Sequence, residues 1–232
     1  MAMRSEAEAI PGVGISWRQL AGYAGIIGVI LFVIGFVLQA DYPTVTDDVS
    51  DVTAYFEDNG TRFLVGNYLI SIGIVFFLVP FFLGLRSVLA EAEGGHAHWA
   101  QVGFFGSAMF VILGGAFSTF SSVLALGIKE IDNDATVRAL QYADLYAFSL
   151  IVLAPALYFV ATGLVILRTG VFWSWLGGIQ LILAVLAVIG AANSIDGDPE
   201  GVLAIFQWIS FIGFGVVILL QSAGLLTKKS AV

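Results

Sequence analysis

The residues best suited to chemistry lie in one short stretch, residues 90–106, with the sequence AEAEGGHAHWAQVGFFG. It contains the two histidines of the chain, His96 and His98, and the carboxylates of Glu91 and Glu93 precede them. Imidazole and carboxylate groups can bind zinc or nickel, and histidine can change its charge near neutral pH. The spacing matches no defined metal site, and a glycine pair makes the stretch flexible. We therefore expect a solvated turn, with a metal site and a pH sensor as the alternatives.

The composition indicates that the elements around this stretch are embedded in lipid. Of 232 residues, 59% are hydrophobic and 11% are charged, whereas a soluble domain has about 25% charged residues. One small globule cannot bury so much apolar surface, so lipid must cover the rest. The chain has no cysteine, which excludes disulfides, thiolate metal sites and cysteine nucleophiles. The net charge of −8 argues against a nucleic-acid partner.

Six stretches have the length of about 20 mostly apolar residues that a helix needs to cross a bilayer. They cover approximately residues 20–38, 63–85, 101–127, 145–167, 171–192 and 202–226. The first is longer than the core of about 7–15 residues in a signal peptide, so we expect it to be retained as a helix. The sequence thus predicts an all-α, polytopic membrane protein in which residues 1–232 form one domain, a bundle of six transmembrane helices.

Basic residues collect on one side of these spans. That side has four acidic residues and six basic ones, namely Arg4, Arg18, Arg86, Arg168, Lys228 and Lys229. The opposite side has three basic residues and thirteen acidic ones. Because Arg and Lys stay on the cytoplasmic side, we expect a multi-pass protein of the cell membrane with both termini in the cytoplasm and three acidic connectors outside.

Two of the acidic connectors contain helix signals. In the first, Thr46 or Asp47 can cap a helix, and Asn59-Gly60 can end it. A short amphipathic helix on the membrane surface is expected there. In the second connector Asp134 can cap, so the fourth span is expected to begin outside the lipid, near Ala135.

The spans also show a weak internal pattern. Each odd span begins with Trp followed by Gly, and each even span ends with Gly-Leu and a basic residue, which is compatible with three repeated helical hairpins. The alternative is that Trp and basic residues both collect at membrane interfaces. Pro80 and Pro155 are expected to kink the second and fourth spans.

Polar residues in all six spans lie mostly toward the outer, acidic side. Polar groups are costly in hydrocarbon, so their common depth favours an outward-facing polar vestibule between the helices. The alternative is that helix ends are generally polar. The candidate ligand-binding residues are Asn67, Ser71, Ser118, Ser122, Asp144 and Ser149.

The sequence lacks the residues that several known membrane-protein activities require. No lysine lies in mid-membrane for a retinal Schiff base, and no histidine lies within a span to bind haem or act as a protease base. No phosphate-binding glycine loop of the Walker type occurs. We therefore expect no cofactor, and an enzyme is not favoured.

Three stretches carry a resemblance: GVILFVIGFVLQ, FFLVPFFLGLRSVL and ATGLVILRTGVFWSWLGG. They resemble a family of six-span bacterial and archaeal integral membrane proteins, common in actinobacteria and catalogued as a domain of unknown function. The resemblance covers most of the chain. It implies a six-helix membrane protein and supplies no catalytic residues.

Three classes of function remain open. A non-enzymatic accessory or assembly subunit is the first, a small-solute transporter or channel that uses the vestibule is the second, and a lipid-active membrane enzyme is the third. The expected partners are membrane lipids and either another membrane protein or a second copy of the chain.

Overall fold

A computed structural model describes residues 15–227, and within them helices joined by short connectors make up the chain. The basic residues Arg4, Lys228 and Lys229, on which part of the predicted orientation rests, lie outside this range. The helices are α1 (Trp17–Leu38), α2 (Val49–Ile72), α3 (Val79–Glu93), α4 (His98–Gly127), α5 (Asp134–Ile151), α6 (Leu153–Thr169), α7 (Ser174–Ala191), α8 (Asn193–Asp196) and α9 (Val202–Thr227).

These helices form six spans that are long and apolar enough to cross a membrane, which confirms the prediction of an all-α bundle of six such helices. Helices α1, α4 and α9 each form one span. The other three spans each combine two helices: α2 with α3, α5 with α6, and α7 with α8. The second and fourth spans are longer than predicted, since they extend over Val49–Glu93 and Asp134–Thr169. The fifth begins at Ser174, three residues after its predicted start.

The spans form a closed ring in chain order. Each packs against the next, and α9 returns to pack against α1. Small residues make the close approaches: a Cβ added to Gly35 would lie 2.6 Å from the Gly66 carbonyl oxygen, and one added to Gly66 would lie 2.7 Å from that of Gly35. The hydrophobic effect does not drive helices together in lipid, so close backbone contacts of this kind stabilise the ring.

Regular α-helical hydrogen bonding is interrupted next to both prolines. A π-helical turn at residues 73–78 separates α2 from α3 and directly precedes the region of Pro80. In the fourth span, Val152 interrupts the helix three residues before Pro155. Proline has no backbone N–H and its ring clashes with the preceding turn, so the helix must deviate there.

One end of the bundle, here called the acidic end, is formed by residues 39–62, 128–144 and 192–201. The opposite end, with residues 94–97 and 170–173, is called the terminal end. At the acidic end the predicted helix stop at Asn59-Gly60 is wrong, because α2 continues through it. A Cβ at Gly60 would lie 3.0 Å from the Ala125 carbonyl oxygen, so this glycine allows α2 to pack closely against α4.

The predicted caps at this end are also shifted. The residue that precedes α2 is Asp48 rather than Thr46 or Asp47, and its side chain makes no capping bond. Helix α5 begins at Asp134, and Asn133 caps it by accepting a hydrogen bond of 2.8 Å from the Ala135 N–H. The fourth span thus begins where it was expected, but its N-cap is Asn133 rather than the predicted Asp134.

Aromatic side chains fill the middle of the ring interior, between the two ends of the bundle. Phe214 of α9 is 3% exposed and lies at the centre, with its ring 4.8 Å from Phe110 and 5.4 Å from Tyr158 between centroids. Phe82 and Phe159 complete the group. We call these five residues the aromatic plug. Polar pairs join the spans around it, from Tyr158 to Gln221 and from Thr162 to Gln180.

Candidate functional site

The acidic end of the ring encloses a cavity of about 380 Å³. The six spans meet around it, and residues 39–48, which connect α1 to α2, form its roof. A second cavity of about 30 Å³ lies beside it and shares the walls formed by Phe36, Phe117 and Phe148. The space lies between the helices at the end where the vestibule was predicted, and of the six candidate residues Asp144 lines the larger cavity.

Two side chains of α5 hold the roof in place. Arg138 of α5 donates to the carbonyl oxygens of Val45 and Asp47, the latter at 2.7 Å. Gln141, one turn further along, donates to the Thr44 carbonyl oxygen at 3.1 Å. Hydrogen bonds from charged donors contribute about 1.5–3 kcal/mol each, so the roof is anchored to the start of the fourth span.

A chain of polar side chains crosses the floor of the cavity. The Asn193 amide donates to the Gln207 side-chain oxygen at 3.3 Å, and the Gln207 amide donates to the Ser149 hydroxyl at 3.4 Å. All three side chains are buried, and they come from the fifth, sixth and fourth spans. The Asn193 Oδ1 atom has no hydrogen-bond partner among residues 15–227, although it is buried.

Asp144 is the buried carboxylate of this cavity, with the residue 8% exposed, and the exposed Asp41 also belongs to the lining. The carboxyl group lies against Ser121 of α4, and its Oδ1 atom is buried without a partner in the described part of the chain. The Tyr42 hydroxyl in the roof is a third such atom. The pKa of Tyr42 is raised far above its ordinary value, mainly by burial and to a smaller extent by the nearby Asp144 and Tyr55. The phenol therefore stays neutral.

The remaining wall is largely aromatic. Phe36, Phe63, Phe117, Phe148 and Trp208 line it, and the Phe148 and Trp208 rings pack with their centroids 4.8 Å apart. Among the described residues that line the cavity, none is Lys, Arg or His. The cavity thus combines one buried carboxylate, uncharged polar groups and aromatic faces, with no basic side chain to neutralise the acid.

The candidate residues from the sequence fall into three places. Asp144 lines the large cavity, and Ser149 lies behind its floor as the acceptor of Gln207. Asn67 accepts a hydrogen bond of 2.6 Å from Gln39 and donates to Ser122 at 2.9 Å. This cluster, with Ser118, borders the small cavity, since Asn67 and Ser118 line it. Ser71 is exposed on the outside of the ring and donates to the carbonyl oxygen of Asn67 in its own helix.

Sequence reasoning did not include Tyr42 or Gln141 in the site. Tyr42 lies in a connector, and only the three-dimensional path of residues 39–48 places it over the cavity. Gln141 lies one turn before Asp144 on α5, so helical spacing from Asp144 could have indicated it. Asn193 and Gln207 belong to the outer polar band of the spans, but nothing in their spacing shows that they meet.

The stretch at residues 90–106 contains the end of α3, a turn at residues 94–97 and the start of α4. Gly94 and Gly95 adopt φ of +66° and +55°, which glycine tolerates without strain. The Glu93 carboxylate accepts hydrogen bonds from the backbone N–H of Trp99 at 3.0 Å and of Ala100 at 2.9 Å. These are the second and third residues of α4, so Glu93 serves as its N-terminal cap from the preceding helix.

His96 and His98, the weak metal candidates, lie in this stretch with their ring centroids 5.4 Å apart. Among residues 15–227 no three His, Asp or Glu side chains are grouped so that they could hold a metal ion. The bonds from Glu93 to the helix give that carboxylate a structural role instead. The turn also lies at the opposite end of the bundle from the cavity.

Replacing Glu93 with alanine is expected to destabilise the protein by about 0.5–2 kcal/mol, the usual cost of losing an N-cap. Two backbone N–H groups of α4 lose their acceptor, and a negative charge is lost near the helix N-terminus. Denaturant unfolding in detergent measures the difference. Glu91→Ala removes an exposed carboxylate from the same stretch and should change stability by less than half as much. An equal loss in both variants would show that the capping bonds are unimportant.

Comparisons of this chain with protein-family models, with curated proteins and with solved structures found no match in any of the three. What the structure defines is the class: a multi-pass, all-α membrane protein with a polar, aromatic-walled cavity at one end of a six-helix ring.

Proposed function

We propose that this protein is a small-solute transporter of the cell membrane, and that the cavity at the acidic end is its outward-facing binding site. The observation that carries the proposal is the pair of unpartnered oxygens, Asp144 Oδ1 and Asn193 Oδ1, on the wall of one 380 Å³ cavity. We also propose that the chain belongs to the family of six-span bacterial and archaeal membrane proteins that its sequence resembles.

The energetics of burial favour a binding site over a packing defect. A buried polar atom without a partner costs about 1–3 kcal/mol, and cavities that are mere packing defects are lined by apolar atoms. Unpartnered atoms also occur at Gln180, Gln221 and Ser222, but those side chains lie outside both cavities. In the part of the chain that the structure describes, three unpartnered atoms lie on the lining of the larger cavity at the acidic end.

The aromatic plug favours a carrier over a channel. It fills the ring between the cavity and the terminal end, so a solute bound beside Asp144 meets packed rings below it. Access from the other side would require the helices around Phe214 to move. The helix interruptions beside Pro80 and Pro155 lie in two of the spans that carry plug residues.

Solute exchange in proteoliposomes tests the proposal. We expect at least one solute from a panel of labelled amines, amino acids, sugars and carboxylates to exchange at least tenfold faster than in protein-free liposomes. Ala204 lines the cavity, whereas Ala116 faces outward from α4. Ala204→Phe should fill the cavity and abolish the exchange, and Ala116→Phe should retain it. Exchange that survives Ala204→Phe in folded protein would contradict the assignment of the site.

The proposed orientation has its own test. Because the chain contains no cysteine, single cysteines report accessibility without background. Asp132 is exposed at the acidic end and His96 at the terminal end. In intact cells a membrane-impermeant maleimide should label Asp132→Cys and leave His96→Cys unlabelled until the cells are opened. The reverse pattern would place the acidic end in the cytoplasm and overturn the proposed orientation.

A further inference from the structure

We infer that the ligand of the acidic-end cavity is a small organic ammonium ion that retains at least one N–H group, such as a primary or secondary amine in its protonated form. This inference rests on the proposed function, because it assigns a substrate class to the same cavity. Three independent properties of the cavity lead to it: its charge, its unpartnered atoms and its aromatic wall.

The charge of the cavity selects a cation. Asp144 is buried on the wall, and none of the described lining residues carries a positive charge. A buried carboxylate without a counter-ion is strongly unfavourable. Two arginines contact the roof. Arg62 donates to a backbone carbonyl oxygen, and Arg138 donates to two backbone carbonyl oxygens and to the Gln141 side-chain oxygen, the last at 3.1 Å. A cationic ligand would supply the charge that the wall lacks.

Two of the three unpartnered atoms at the cavity, Asp144 Oδ1 and Asn193 Oδ1, select a hydrogen-bond donor, whereas the third, the Tyr42 hydroxyl, can donate or accept. Asp144 Oδ1 can accept but not donate when the carboxyl group is ionised, and Asn193 Oδ1 is an acceptor whose own amide already donates to Gln207. A protonated amine carries up to three donors, enough in number for both oxygens, and bonds from a charged donor are the stronger kind. A quaternary ammonium ion carries the charge without donors, so it would leave both oxygens unpaired.

The aromatic wall selects an organic cation over a hydrated inorganic one. Phe36, Phe63, Phe117, Phe148 and Trp208 face the space around the polar groups. Aromatic faces attract cations, more strongly when water is excluded, and they also pack against alkyl groups. At 380 Å³ the cavity is near the lower limit of ligand pockets, about 300–1,000 Å³. The ligand is therefore the size of a simple amine.

Four probes of similar size separate these properties: n-butylammonium, 1-butanol, butyrate and tetramethylammonium. Binding is followed by tryptophan fluorescence in lipid nanodiscs, since Trp208 lines the cavity. We expect n-butylammonium to reach half-saturation at a concentration at least tenfold lower than 1-butanol or tetramethylammonium, with no response to butyrate. Trp208→Phe should lose the fluorescence response, which locates the bound probe.

Variants then test the role of the carboxylate. Asp144→Asn keeps the size of the side chain and should weaken n-butylammonium binding at least tenfold, while 1-butanol binding changes less than twofold. Asp132→Asn removes the same charge from an exposed position at the acidic end and should change n-butylammonium binding less than twofold. An equal effect of both substitutions would mean that long-range charge, rather than contact with Asp144, attracts the cation.

The outcomes distinguish this inference from the proposed function. If butyrate or 1-butanol binds as tightly as n-butylammonium, or if Asp144→Asn has no effect, the ammonium assignment is overturned. Equal binding of tetramethylammonium overturns the requirement for a donor. If a neutral or anionic solute exchanges through the cavity in proteoliposomes, the inference fails and the transporter proposal stands. If no solute exchanges and no probe binds, both fail.

Discussion

Gly190→Ala is expected to destabilise the protein by about 1–3 kcal/mol, the usual cost of overpacking a close contact. Its Cβ would lie 2.5 Å from the backbone nitrogen and 2.7 Å from the Cα atom of Gln207. These are backbone atoms of α9, so the fifth and sixth spans must separate to admit the methyl group. The shift would also displace the Gln207 side chain, which bonds Asn193 and Ser149 on the cavity floor.

The matched control lies in the same helix. Gly178 has no atom within 4 Å of an added Cβ, and alanine stabilises a helix by up to about 1 kcal/mol relative to glycine. Gly178→Ala should therefore be neutral or slightly stabilising. Unfolding in sodium dodecyl sulfate, followed by circular dichroism, compares the two variants with the parent protein. Equal midpoints for Gly190→Ala and Gly178→Ala would contradict the close packing of α7 against α9.

Phe214→Ala is expected to have the largest effect on stability. Its ring contacts four other aromatic rings of the plug, and truncation would leave a void among them. In soluble cores Phe→Ala costs about 3–5 kcal/mol. We expect the lower part of that range, because the unfolded reference state in lipid or detergent still covers the side chain with apolar groups and only the packing is lost.

Phe105 provides the comparison for this substitution. It is 56% exposed on α4 and faces away from the ring. Phe105→Ala should change the free energy of unfolding by less than a third of the change for Phe214→Ala, measured in the same detergent series. A similar loss for both would show that the plug is not tightly packed, and the argument for a closed terminal end would lose its basis.

The spans were predictable because their physical signal is strong and local. Twenty apolar residues in a row have few alternatives to a transmembrane helix, and α1, α4 and α9 begin and end within a few residues of the predicted limits. The error at Asn59-Gly60 has a tertiary origin. That dipeptide favours a helix end in isolation, but packing against Ala125 requires a residue without a side chain in mid-helix.

The site was only partly predictable. The depth of Asp144 in its span was enough to identify it as a candidate, because a carboxylate near hydrocarbon is costly and usually functional. The same rule included Ser71, which is exposed on the outside of the ring. Depth says how far a residue lies along the bilayer normal and nothing about which way it points. The direction depends on the rotation of each helix, which is set by contacts between helices distant in sequence.

The central claim is that the acidic end contains a solvent-accessible cavity, and a single cysteine tests it most directly. Ser121 lines the cavity beside Asp144, whereas Ser107 is buried in the terminal half and lines neither cavity. In sealed vesicles with the acidic end outward, Ser121→Cys should react with a small impermeant thiol reagent, and Ser107→Cys should not. If Ser121→Cys in folded protein reacts no faster than Ser107→Cys, the cavity is closed to water and the proposed binding site is contradicted.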